Sequence, residues 1–68
     1  MKKGETIRIE AQDYFMGPKT TVSAKVMGFL GDFTVALMYQ GEVHLGTLSM
    51  SGVFRNEGTM VKGAILLD

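Results

Sequence analysis

"LMYQGEVHLG", residues Leu37 to Gly46, decides the fold. A Gln-Gly pair sits at its centre, and apolar and polar residues alternate on both sides, as in a β-hairpin. Loop length sets the register, and a one-residue slip exchanges every side chain between faces. A two-residue loop at Gln40-Gly41 sets Leu37 opposite His44 and places a polar ring beside a core leucine. A three-residue loop, Tyr39 to Gly41, with Gly41 left-handed in a bulge, sets Leu37 opposite Val43 and Val35 opposite Leu45. Glu42 and His44 then share the outer face with Thr34, Ala36 and Met38. The apolar pattern favours the three-residue loop, so His44 is expected on a solvated strand face, where its removal changes little.

The same reading extends along the chain in both directions. Glycines at positions 4, 17, 31, 41, 52 and 58 punctuate it, with short alternating stretches between them. No window sustains a helical period. The first strand is "TIRIEAQDYF", with Ile7, Ile9 and Ala11 on one face. "MGPK" turns the chain, since Pro18 fixes one dihedral and Gly17 supplies freedom. The second strand, "TTVSAKVMGFL", places Val22, Ala24 and Val26 on the core face. A two-residue turn at Gly31-Asp32 pairs Leu30 with Phe33, Val26 with Leu37 and Gly28 with Val35. The fourth strand runs from Glu42 toward Arg55, but its alternation flips, which predicts a bulge or corner at "SMSG". "NEG", Asn56 to Gly58, is a second three-residue hairpin loop, with Gly58 left-handed. "TMVKGAILL" is the last strand.

These elements predict an all-β fold: a small antiparallel meander barrel of five to six strands, SH3-like or OB-like, in one domain over 1–68. An open curved sheet that dimerises into a sandwich is the alternative. With 68 residues such a chain buries only roughly 60% of the surface its unfolded form exposes. Domains of this size commonly need a staple or a partner. Cysteine is absent and histidine occurs once, so disulfides and a Cys- or His-rich metal site within one chain are excluded. No cofactor or metal is expected. Association is the remaining aid, and a homo-oligomer is the expected state.

The chain is 46% hydrophobic and 21% charged. Its seven basic and seven acidic side chains cancel, with +2 in residues 1–31 and −2 in 32–68. That is a weak polarity and not a basic patch. "MKKGETIRIE" has no apolar stretch of signal-peptide kind, and no apolar run reaches the ~18 residues of a membrane-spanning helix. A cytoplasmic protein that engages no membrane is expected.

Chemistry-bearing motifs are sparse. "GPKTT" lacks the upstream glycine of a phosphate loop, and a strand follows where that mechanism needs a helix. Glu42 and His44 share a strand face, but no third group joins them at a catalytic spacing. Ser49 and Ser51 flank Met50 without a nucleophile elbow. The outward parity of the later strands, by contrast, is apolar. Met38, Leu48, Met50, Phe54, Met60 and Leu66 form a row that a small meander cannot cover alone.

The sequence therefore predicts a non-enzymatic binding or adaptor module that self-associates through that row; another protein is a possible partner class. The alternative is a single-stranded nucleic-acid binder using Lys19, Lys25 and Phe29, in which bases stack on an aromatic beside cations. The zero net charge argues against it. A third reading is an oligomer that holds a small ligand between subunits.

Overall fold

Alternation places Ile7, Ile9 and Ala11 on one side of strand β1 (Thr6–Gln12), and the fold is built on that face. The computed structural model describes residues 1–31 and 33–60. Four more strands follow: β2 (Lys19–Phe29), β3 (Thr34–Tyr39), β4 (Glu42–Leu48) and β5 (Val53–Thr59). They pair in sequence order and close into a barrel. Among the described residues no helix is long and apolar enough to cross a membrane.

An odd number of strands in a simple meander leaves the first and last running the same way. Closure is accordingly parallel, with Glu10 opposite Val53 and Gln12 opposite Arg55. The Glu10 N–H donates to the Gly52 carbonyl at 3.0 Å and begins this seam. The other four pairings are antiparallel. The open-sheet alternative is not realised.

The core holds Ile9, Ala24, Val26, Val35, Leu37, Tyr39 and Phe54, with Ile7, Ala11, Val22, Phe29 and Leu48 packed against it. The expected inward faces of β1 and β2 are the observed ones, and Val26 pairs with Leu37 as read. A bulge at Met27 then shifts the register, so Gly28 faces Ala36 instead of Val35, and Phe29 faces Val35. Leu30 donates to the Thr34 carbonyl. The β2–β3 loop is thus one residue longer than expected, and Phe33 stands in it, not opposite Leu30.

Three further expectations are corrected. The first concerns the β3–β4 hairpin. Gln40 and Gly41 both have positive φ, 53° and 80°, the pairing required by a type I′ turn. The loop therefore has two residues, and Leu37 pairs with His44. His44 points inward and is only 9% exposed.

The second concerns "SMSG". It is a full reversal, closed by Gly52 N–H donating to the Ser49 carbonyl and Ser49 N–H to the Val53 carbonyl. The Ser49 hydroxyl also accepts from Val53 N–H at 3.1 Å, so the serine competes with the ladder and ends the strand. What reads as one bent strand is a hairpin. Its register pairs Leu48 with Phe54 and turns Phe54 inward to 0% exposure. Phe54 is a core residue and not part of an outer row.

The third concerns "NEG", which continues β5. Gly46 pairs with Asn56 and Leu45 with Gly58, leaving Glu57 as the extra residue of a bulge. Gly58 does have positive φ, 137°. The expected last strand begins inside β5, and positions 61–67 of it lie outside the described residues.

Phe54 fits because Gly46 has no side chain. A Cβ on Gly46 would lie 2.7 Å from Phe54 Cζ and would also collide with the Arg55 carbonyl oxygen. At Gly41 the space around a Cβ is open, and only the positive φ resists substitution. Gly46→Ala should therefore cost about 3 kcal/mol through overpacking, and Gly41→Ala about 1 kcal/mol through the left-handed penalty. Urea unfolding of the two variants checks the order; equal costs would mean that Phe54 moves freely away from Gly46.

Candidate functional site

Strands β1, β3 and β5 run toward one end of the barrel, here the upper end, and β2 and β4 run toward the lower. Each end carries its own chemistry. At the upper end a polar cluster closes the interior. The Gly58 N–H donates to Asn56 Oδ1 at 2.8 Å, which fixes the amide orientation. Asn56 Nδ2 then donates to Asp13 Oδ1 at 3.3 Å and to His44 Nδ1 at 3.0 Å. With Nδ1 accepting, the neutral ring carries its proton on Nε2.

The His44 ring stacks on Tyr39, centroids 4.3 Å apart and planes at 22°. Tyr39 in turn meets Phe54 edge-on at 6.1 Å. Burial, and secondly the Asp13 charge, push the Tyr39 phenol above its ordinary 10.0. Tyr39 Oη and His44 Nε2 are buried and have no hydrogen-bond partner among the described residues. Glu42 Oε2 lies 3.9 Å from His44 Nε2, too far for a hydrogen bond. Neither atom reaches solvent to exchange a proton with a substrate. The cluster ties the end of β1, β3, β4 and β5 together at the mouth. Among the described residues no three His, Cys, Asp or Glu side chains converge as a metal site.

Beyond this cluster projects the β1–β2 loop, residues 13–18. β1 ends at Gln12, so the expected first strand loses Asp13, Tyr14 and Phe15 to the loop. Gly17 N–H donates to the Tyr14 carbonyl and closes a turn. The Gln12 side chain, itself buried, donates to the Gly17 carbonyl at 2.9 Å. The Tyr14 ring lies against Gly17, where a Cβ would come within 2.8 Å of it. Phe15 and Met16 occupy the two central turn positions, 73% and 84% exposed. Met16 has φ of 63°, at a position where turns of this kind take glycine or asparagine.

The lower end is apolar. Met1, Phe29, Phe33, Thr34, Val35 and Leu48 line a cleft of 110 Å³. Phe33 stands beside it, 81% exposed.

The residues of the expected outer row do not come together. Phe54 is in the core, and Leu48 is half-buried and packed against it. Met38 is exposed on β3, Met60 is half-buried beyond β5, and Met50 is fully exposed in the β4–β5 turn at the other end. Leu66 lies outside the described residues. Of the nucleic-acid candidates, Lys19 and Lys25 are exposed on β2, whereas Phe29 is half-buried, packed against the core and part of the lower-end cleft wall. Sequence reasoning missed Tyr14, Phe15 and Met16. The available signal was three large apolar residues in succession directly before Gly17-Pro18.

No protein-family model matches the chain, and neither a curated protein nor a solved structure matches it.

Two substitutions test the upper cluster. His44→Ala should cost about 2–4 kcal/mol, as expected for emptying a buried site, where a solvated histidine would cost almost nothing. Tyr39→Phe removes a buried hydroxyl that has no partner among the described residues and should stabilise by about 1 kcal/mol near neutral pH. Because the folded phenol holds its proton more tightly than the unfolded one, wild-type stability is full below pH 10 and falls as pH rises through the folded value. The gap between Tyr39→Phe and wild type should therefore widen above pH 10. Urea midpoints at neutral and alkaline pH read both effects; a narrowing gap would contradict the assigned burial.

Proposed function

We propose that the chain is a non-enzymatic binding module that self-associates, and that its contacts lie at the ends of the barrel. The observation that carries this reading is the Phe15-Met16 tip. Two costs meet there. Large apolar side chains stand in water, and a methionine holds a left-handed backbone that disfavours it by about 1–2 kcal/mol. Among the described residues neither side chain packs into the core. Strain and exposure that the fold does not use are a mark of function.

The tip is also pre-organised. Tyr14, Gly17 and Gln12 hold the turn closed before any partner arrives, which reduces the ordering cost of binding. Methionine and phenylalanine are enriched at interfaces for their contact area and adaptability. Self-association is favoured over capture of a different protein because the lower end also exposes apolar groups, Phe33 and Met1. The buried positions of His44 Nε2 and Tyr39 Oη support the non-enzymatic part of the reading.

Met16→Gly separates folding from binding. Glycine accepts the positive φ, so the variant should be as stable as wild type or up to about 1 kcal/mol more stable. It should also associate less. Light scattering coupled to size-exclusion chromatography, from micromolar to millimolar protein, tests this. A wild type that stays monomeric throughout, or a Met16→Gly variant that associates as wild type does, would overturn the reading.

A further inference from the structure

The cleft at the lower end is small. Its 110 Å³ corresponds to the share of about four waters, well short of the ~300 Å³ at which ordinary ligand pockets begin. It suits one side chain and not a cofactor. Its walls are apolar except for Thr34. Phe29, Val35 and Leu48 form the floor against the core, and Phe33 and Met1 stand at the rim.

The other end of the same molecule presents side chains of that size and character, held outward on a rigid turn. A methionine thioether adapts well to an irregular apolar recess. We propose that the Phe15-Met16 tip of one copy docks into the Phe29/Phe33/Leu48 cleft of a second copy, so that copies stack head to tail. This rests on the reading of the chain as a self-associating module and adds the geometry.

Charge favours this arrangement over a tip-to-tip pair. The upper end carries exposed Asp13, Glu42 and Glu57 against Lys19 and Arg55. Two upper ends face to face would bring six carboxylates against four cations. Among the described residues the lower end carries Lys2 and Lys3 against Glu5, a small positive excess. A net-negative end meeting a net-positive end avoids that repulsion. Because tip and cleft lie on opposite ends, the contact is heterologous, and one docking event leaves a free tip and a free cleft. One tip in one cleft buries far less than the ~1,200 Å² of stable complexes. Stacks should therefore lengthen gradually with concentration.

Two variants test this, each with one disabled end. The tip is blunted by Phe15→Ser with Met16→Asn, since asparagine tolerates the left-handed backbone. The cleft is blocked by Phe33→Asp, at a site exposed enough to spare folding; Thr34→Lys serves if that variant fails to fold. Sedimentation of wild type should show mass rising continuously with concentration. Each variant alone should remain monomeric. Mixed, they should form a 1:1 dimer and nothing longer, because the intact tip of one fits the intact cleft of the other and both remaining ends are disabled. Labelled tip variant in that mixture should show NMR shifts at Phe29, Val35 and Leu48. If wild type associates but the mixture stays monomeric, the head-to-tail geometry falls and self-association stands. If wild type remains monomeric to about 1 mM, a weak-contact range, both fall.

Discussion

The Phe54 ring lying on Gly46 is the contact on which the rest of the barrel depends. Five short strands enclose little volume, and one phenylalanine fills much of it. The ring reaches the interior only because β4 has a glycine beneath it. Its place also fixes the register of β5, which in turn sets the seam with β1. The upper cluster then follows: Asn56 is two residues beyond Phe54 on the same face, and so it meets His44 and Asp13. A barrel with a side chain at position 46 would have to move β5, and the polar network would lose its central amide.

Much of the architecture was legible in the residue pattern. The alternation in β1 and β2 is clean, and their inward faces and the pairing of Val26 with Leu37 can be read without a structure. The errors have a common physical source. His44 reads as outward because no residue near it in sequence offers a buried imidazole a partner. Its partners are Tyr39, five residues back, and Asn56, twelve residues ahead, and nothing local announces either. Phe54 reads as outward because a tight serine-rich reversal and a bulge leave similar traces in sequence, and they differ by the parity of everything that follows.

The candidate site was less legible than the fold. The apolar row expected on strand faces is broken up because Phe54 and Leu48 pack inward, and the proposed contacts lie in the loops instead. Half of the Phe15-Met16 tip is hidden in sequence inside an apparent strand, because Tyr14 and Phe15 have strong β propensity, while Met16 falls in the expected "MGPK" turn. What ends β1 is the commitment of the Gln12 side chain to Gly17, a tertiary choice that propensity does not contain. The cost of that choice is visible only in three dimensions, as an exposed methionine with positive φ.

The parallel seam between β1 and β5 has a consequence for how the chain reaches this state. Every other pairing joins neighbours in sequence and can form as a hairpin on the microsecond scale. The seam alone joins residues about forty positions apart, through three residue pairs. Loop-closure entropy falls on that one step. Closure should be the late event in folding and the earliest to reverse. A sheet opened at that seam would present two unprotected edges, from which strand exchange between molecules could begin.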